Sequence, residues 1–199
     1  MKIDKELAAL IFVSALAFLV RLGNPLAGGH SDEPLYIGIA KEMMAKHEWI
    51  LPIYHGSLAF YKPPLLYWMM MVSFKLFGGV SLFAARFPAA LCGIGTVLIT
   101  ALLGRELFPR EKGEVAGWLT LTTIPGLYAF ARASLMDIPL VFLITASLYC
   151  AILASKRRSG RWLAYSFILI GTTSLLKGPV GSLIALIPPR LTLGGSKFR

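Results

Sequence analysis

The chain is organised around residues 30–64, which read HSDEPLYIGIAKEMMAKHEWILPIYHGSLAFYKPP. This stretch lies between strongly apolar segments and contains an acidic pair at 32–33, all three histidines and a lysine followed by two prolines at 62–64. Apolar runs on both sides of such polar residues indicate a loop that joins membrane helices. The loop is therefore the candidate active face of the protein.

Composition places the chain among polytopic membrane proteins. Hydrophobic residues make up 56% of it and charged residues 15%, with a mean hydropathy of +0.69, which is far more apolar than an ordinary soluble domain. The formal net charge of +10 comes from short basic clusters between apolar runs, a pattern typical of cytoplasmic loops and not of nucleic-acid binding. Cys92 and Cys150 lie inside apolar runs, which favours buried thiols over a disulfide or a zinc site.

Apolar runs predict five membrane-spanning helices and a weaker sixth after Pro179. The five cover residues 7–22, 82–103, 115–131, 138–154 and 162–176. A cleaved signal peptide is the alternative for the first run, because a basic start and small residues at 27–29 imitate one. That run is longer than the ~7 to 15 residues of a usual signal core, which favours an uncleaved span. The predicted fold class is an all-α polytopic membrane protein with five to six transmembrane helices.

Two further segments predict helices in the membrane interface. Residues 35–46 place apolar side chains on one helical face and charged ones elsewhere. Residues 64–78 are apolar enough to resemble a span, but at helical rise they cover only about 22 Å, against about 30 Å of hydrocarbon. Between these segments, residues 47–61 lack sustained periodicity, and Pro52 and Gly56 predict a loop.

Charge bias predicts the topology. The basic clusters at 105–112 and 156–161 are expected in the cytoplasm by the positive-inside rule. Both fall there only if the N-terminus is cytoplasmic and residues 64–78 lie along the surface without crossing. The first outer loop, residues 30–80, and the second outer loop, residues 132–137, then share the outer face. Charged residues gathered at one membrane face predict a functional site.

Four motifs, in chain order, carry a resemblance to a known family. They are SDEPLY at 31–36, YKPPLLYW at 61–68, RASLMDIP at 132–139 and LKGP at 176–179. Together, over residues 7 to about 187, they resemble the N-terminal part of dolichyl-phosphate-mannose protein mannosyltransferase-like enzymes, a group that includes the bacterial lipid A aminoarabinose transferases. These C-type membrane glycosyltransferases use polyprenyl-phosphate sugars as donors. The resemblance implies transfer of a hexosyl or pentosyl group to a hydroxyl of a glycolipid or a protein.

The resemblance also implies roles for three acidic residues. In that family the first acidic residue after the first span is the catalytic carboxylate, which corresponds to Asp32. Glu33 is its acidic neighbour, and Asp137 is the acidic residue of the second outer loop. A carboxylate at this position can serve as general base toward the acceptor hydroxyl while the lipid phosphate leaves. The alternative is that the acidic pair only caps the helix that follows it.

Basic and aromatic residues complete the predicted site. Preorganised cations near the interface stabilise a leaving phosphate, and Lys62, Lys177 and Arg132 are the candidates. Each of these cations has an alternative role as a snorkelling side chain that anchors a helix end. Tyr36 and Tyr61 are candidates to contact the sugar or the lipid, although an interfacial aromatic belt explains the aromatic residues at 61–68 equally well.

Neither a metal ion nor another cofactor is predicted. The histidines lack the i, i+4 spacing of a ligand pair and have no cysteine partner in their loop. The competing function class is a non-enzymatic membrane protein, such as a transporter subunit or an assembly scaffold. Charges near the middle of the membrane would favour a transport path, whereas here they gather at the outer ends of the spans, which favours an enzyme.

The C-terminal sequence predicts an incomplete fold. The last apolar run, residues 180–187, would reach only about 12 Å as a helix, and prolines and a polar tail follow it. We therefore interpret residues 1–199 as a single transmembrane domain fragment that lacks the remainder of the family fold. It is expected to insert into the inner (plasma) membrane with its active face outward, and not to consume a polyprenyl-phosphate donor by itself.

Overall fold

The computed structural model describes residues 5–25, 31–179 and 183, with the backbone alone at 110–113. In these described residues, helices alternate with short turns and one small hairpin. Their order is α1 (Lys5–Leu19), α2 (Glu33–Ala45), β1 (Ile53–Tyr54), β2 (Ser57–Leu58), α3 (Leu65–Leu76), α4 (Leu82–Leu107), α5 (Arg110–Thr123), α6 (Pro125–Ala131), α7 (Asp137–Arg157) and α8 (Gly160–Lys177).

Within the described ranges, two helices are long and apolar enough to cross a membrane, α4 and α7. They contain 26 and 21 residues, so α4 extends about 39 Å. Helices α1 and α8 coincide with two more of the predicted spans, and they contain 15 and 18 residues. The weak span predicted after Pro179 lies outside the described residues, apart from the single position 183.

The predicted span over residues 115–131 is wrong as a single helix. Helix α5 ends at Thr123 and α6 begins at Pro125, so the helix is interrupted at Ile124. The residue before a proline is sterically disfavoured in the helical region, and Ile124 has φ −105° and ψ 86°. The result is two shorter helices in place of one.

The predicted loop over residues 47–61 contains a hairpin. Strands β1 and β2 pair Ile53 with Leu58 and are joined by His55 and Gly56. Both joining residues have positive φ, 51° and 76°, the combination that a two-residue hairpin turn of type I′ requires. Glycine adopts this conformation without steric cost, which explains its place in the turn.

A hydrogen bond joins α3 to α4 at the point where a proline interrupts the hydrogen-bond pattern of α4. Pro88 has no N–H, so the Ala84 carbonyl one turn earlier loses its helical donor. The buried Ser73 hydroxyl of α3 donates to that carbonyl at 2.6 Å. With 12 residues, α3 reaches about 18 Å, too short to cross the hydrocarbon, in agreement with the predicted non-crossing helix.

Removing the Ser73 hydroxyl should therefore destabilise the protein. We expect Ser73→Ala to lower the free energy of unfolding by about 1–3 kcal/mol, because the buried Ala84 carbonyl loses its donor. Pro88→Ala restores a helical N–H to the same carbonyl, so Ser73→Ala should cost less in that background. Denaturant titration of the four proteins in detergent measures both effects. Strictly additive costs would show that the two residues are independent.

Two clusters of buried apolar side chains hold the helices together. The one beneath the first outer loop joins α2 and α3 to the second outer loop, and includes Ile39, Met43, Tyr67, Phe74 and Met136. The other joins α1 to α4 and α6, and includes Leu10, Phe18, Val97 and Ala131. The apolar face of α2 is thus packed against α3 and the second outer loop. This packing holds α2 against the second outer loop. The predicted acidic residues lie at the start of α2 and in that loop.

Candidate active site

The predicted motifs converge on one polar cavity of about 150 Å³. It lies between the start of α2, the chain before α3, the second outer loop and the end of α8. Its lining consists of Asp32, Tyr36, Lys62, Phe130, Leu135, Met136, Asp137 and Lys177. Of the predicted site residues, Glu33, Tyr61 and Arg132 do not line this cavity. Two carboxylates, two ammonium groups and one phenol therefore share a small volume at one end of the helices.

Asp137 and Lys177 form an ion pair in this cavity. The Lys177 Nζ lies 2.7 Å from the Asp137 Oδ1, and both side chains are partly exposed. Asp137 is the first residue of α7 and Lys177 the last of α8. An acidic residue at a helix N-terminus and a basic one at a helix C-terminus both complement the helix dipole. The local sequence thus favours each charge at its position, and the ion pair joins the start of α7 to the end of α8.

Asp32 occupies the N-cap position of α2 but makes no capping hydrogen bond with its side chain. The capping hydrogen bond that the helix-cap alternative requires is therefore absent, and only the interaction with the helix dipole remains of that alternative. Tyr36 lies one turn further along α2 and is buried. Burial raises the pKa of the Tyr36 hydroxyl above its ordinary value, and the charges of Asp32 and Asp137 and a hydrogen bond to Asp32 raise it further. The phenol therefore stays protonated and can donate a hydrogen bond to Asp32.

Glu33 points away from the cavity and forms a buried ion pair with Arg86 of α4. Both donor–acceptor distances of this bidentate contact are 2.8 Å, and the two residues are 4% and 1% exposed. The Ser134 N–H of the second outer loop donates to Glu33 at 2.8 Å. Arg86 also donates to the carbonyls of Leu22 and Asn24, at 3.0 and 2.8 Å. This network joins α2, α4, the turn that follows α1 and the second outer loop.

The network positions the two cavity carboxylates. Glu33 directly follows Asp32, and Ser134 lies three residues before Asp137. Because Glu33 binds both Arg86 and the Ser134 N–H, this contact holds the backbone next to each of the two cavity carboxylates. Sequence analysis did not identify Arg86. The available signal was a single arginine inside the apolar run 82–103, because charged residues in membrane segments are rare and usually pair inside the protein.

Arg132 and Tyr61 lie outside the cavity. Arg132 is buried, and its Nη1 donates to the carbonyls of Ala17 and Phe18 at 2.8 and 3.2 Å. The last carbonyls of a helix have no partner within it, so Arg132 caps the C-terminus of α1. This contact replaces the phosphate contact that was predicted for Arg132. Tyr61 is 61% exposed. In the described part of the chain, no cluster of three or more His, Cys, Asp or Glu side chains suits a metal ion.

Comparison with known proteins decides the family. Residues 61–191 match the family model described as dolichyl-phosphate-mannose-protein mannosyltransferase. The chain belongs to this family. An undecaprenyl phosphate-alpha-4-amino-4-deoxy-L-arabinose arabinosyl transferase of Edwardsiella ictaluri is 30% identical over 163 residues, which are 80% of this chain and 29% of that protein. An uncharacterised protein of Aquifex aeolicus is 33% identical over 152 residues, 75% of this chain and 30% of its own length.

Solved structures agree with the family membership. ArnT from Cupriavidus metallidurans bound to undecaprenyl phosphate superposes with a TM-score of 0.82 at 25% identity, covering 96% of this chain and 36% of that one. The Archaeoglobus fulgidus oligosaccharyltransferase shares the fold, with a TM-score of 0.67 at 19% identity, covering 86% and 23%. The predicted family resemblance and all-α multi-pass membrane fold are confirmed. The chain spans about a third of the length of the relatives it matches.

Proposed function

We propose that this chain is part of an integral-membrane glycosyltransferase that transfers a sugar from a polyprenyl-phosphate donor to a hydroxyl group of a glycolipid or protein. The observation that carries the proposal is the cavity in which Asp32, Asp137, Lys62 and Lys177 meet. Relatives support the donor class, since one is named for undecaprenyl phosphate-linked aminoarabinose and a matched ArnT structure holds undecaprenyl phosphate. No observation favours the alternative of a transporter subunit or scaffold.

In the proposed reaction, Asp32 acts as general base. The acceptor hydroxyl oxygen forms a bond to the anomeric carbon of the sugar, and its proton passes to the Asp32 carboxylate. The bond between that carbon and the phosphate oxygen breaks, and its electron pair leaves with the polyprenyl phosphate. Tyr36 is placed to hold the Asp32 carboxylate by hydrogen bonding. Glu33 is assigned a positioning role, because its carboxylate is committed to Arg86.

Lys62 is assigned to the donor phosphate. Lys177 is already paired with Asp137 in the cavity, whereas Lys62 makes no ion pair within the described residues. The ammonium group of Lys62 is therefore the cation best placed to balance the charge that develops on the leaving phosphate. The two prolines that follow it restrict the backbone there.

Lys62→Ala should weaken the binding of polyprenyl phosphate. A charge-assisted hydrogen bond contributes about 1.5–3 kcal/mol, so we expect a roughly 10- to 100-fold higher Kd. The Kd is measured by titrating undecaprenyl phosphate against the purified chain in nanodiscs. Lys75→Ala is the matched control, since Lys75 lies over the Trp49 ring at 5.0 Å and does not line the cavity. Equal affinities for Lys62→Ala and the unsubstituted chain would contradict the assignment.

We also propose that the chain lies in the inner membrane with the cavity on the outer face. The basic clusters at 105–112 and 156–161 support this orientation by the positive-inside rule. Cysteines introduced at Glu48 and Arg158 should react with a membrane-impermeant thiol reagent from opposite sides of the membrane. The native Cys92 and Cys150 are buried, and the unsubstituted chain gives the background. Labelling from the same side would contradict the topology.

A further inference from the structure

The hairpin of the first outer loop has one face packed against protein. Beyond the paired strands, the Ala59 N–H donates to the Pro52 carbonyl at 2.8 Å, which extends the hairpin by one residue on each side. Pro52 and Ala59 are buried, and Tyr54 lies on the same face because side chains alternate along a strand. The Tyr54 ring packs so closely on Gly38 of α2 that a Cβ there would lie 2.6 Å from it.

The opposite face of the hairpin is apolar and uncovered. Leu51, Leu58 and Phe60 lie on it by the same alternation, and they are 40%, 57% and 70% exposed. Ile50 and Tyr61 flank this face and are 74% and 61% exposed. We call these five residues the outer apolar face. The proposed sugar-transfer site does not use them.

The outer apolar face continues onto α3 through Trp49. The Trp49 carbonyl accepts a hydrogen bond from the Trp68 indole N–H, and the Lys75 ammonium lies over the Trp49 ring. Trp68 and Lys75 are two helical turns apart, with Val72 and Leu76 on the same side of α3. Those two side chains are 57% and 70% exposed. Trp49 therefore lies along an exposed apolar side of α3.

This side of α3 borders an apolar groove of about 530 Å³ that reaches α4 and α7, the two described helices that are long and apolar enough to cross a membrane. Trp68, Val72 and Leu76 form one wall, and the other includes Leu91 of α4 and Phe142 of α7. Leu91 is 47% exposed on α4, which is long and apolar enough to cross a membrane. Apolar surface thus runs from the exposed apolar side of α4, across α3, to the hairpin.

We propose that the outer apolar face inserts into the outer interface of the lipid bilayer. The face is continuous with the exposed apolar side of α4, a helix long and apolar enough to cross a membrane, and this continuity favours lipid over a second copy of the chain or another protein. The flanking residues also suit an interface, because Lys62 and Lys75 stand beside Tyr61 and Trp49, and aromatic and lysine side chains concentrate at headgroup depth. Lys62 follows Phe60 by two residues, so the inserted hairpin holds its ammonium group at the depth of lipid phosphates.

Depth measurements on neighbouring hairpin positions test the proposal. The environment-sensitive dye NBD is attached to single cysteines replacing Leu58 or Phe60, and to Ser57→Cys as the matched control on the opposite face. The chain is reconstituted in nanodiscs of phosphatidylcholine and phosphatidylglycerol. We expect lipids with a nitroxide near the headgroup to quench positions 58 and 60 several-fold more than position 57, and aqueous iodide to quench them several-fold less. Equal iodide quenching at all three positions would overturn the proposal.

Two further outcomes separate lipid from other occupants. Disulfide crosslinking between copies through Leu58→Cys, with weak nitroxide quenching, would assign the face to a second copy and overturn the proposal. Shielding of Leu58→Cys from iodide that persists in lipid-free amphipol, without nitroxide quenching in nanodiscs, would assign it to protein contacts. The readout is depth in the bilayer, so it stands independently of whether sugar transfer is confirmed.

Discussion

Replacing Asp32 with asparagine is expected to lower sugar transfer by about 100- to 10,000-fold, the range that general acid–base catalysis contributes. The substitution removes the proton acceptor from the cavity and keeps the shape of the side chain. Asparagine is as good an N-cap residue as aspartate, so α2 should be undisturbed. Binding of polyprenyl phosphate should remain close to that of the unsubstituted chain, because the lysines of the cavity are unchanged.

The measurement needs a protein of the full length of the family. Transfer is therefore assayed in a chimera in which residues 1–187 replace the matching part of an aminoarabinose transferase, and donor binding is assayed on the chain itself. Glu48→Gln is the matched control. Its carboxylate lies in the same loop but accepts hydrogen bonds from the Ile50 and Leu51 N–H groups outside the cavity. Near-normal transfer by Asp32→Asn would refute the assignment of the general base.

Replacing Arg86 with leucine is expected to lower the free energy of unfolding by about 3–5 kcal/mol, because it leaves a buried carboxylate without its charged partner. Glu33 and Arg86 are both nearly inaccessible and share a bidentate contact. Lys156→Ala provides the contrast, since its ion pair with Glu106 is exposed and should contribute only about 0–1 kcal/mol. Denaturant titration in detergent, followed by circular dichroism, gives both values. Equal losses for the two variants would contradict a structural role for Arg86.

A double substitution separates stability from function. Glu33→Leu with Arg86→Leu removes both charges, so much of the stability should return. Transfer in the chimera should stay low, because the Ser134 N–H loses its acceptor and the second outer loop is no longer held to α2. Recovery of transfer together with stability would show that the ion pair does not position Asp32 and Asp137.

Helix periodicity and charge bias determined much of this protein from sequence. The apolar runs predicted four of the helices in the right order, and the positive-inside rule predicted that residues 64–78 do not cross the membrane. The structure has there a 12-residue helix, α3, bonded through Ser73 to α4. These features depend on local composition and segment length, which the sequence gives without any knowledge of tertiary packing. The interruption of the helix at Ile124 is also a local feature, because Pro125 indicates it. The sequence analysis nevertheless missed this interruption.

Tertiary structure alone decided which charged side chains share the cavity. Successive residues of a helix are rotated by about 100° around its axis, so Asp32 and Glu33 point to different surroundings. Only the packing of α2 determines that the first faces the cavity and the second faces Arg86, 53 positions away in sequence. Arg132 likewise points to the end of α1 while Asp137, five residues later, meets Lys177. Motif order predicted which charged residues belong to the site. The burial of partners distant in sequence decided which of them line the cavity and which support it.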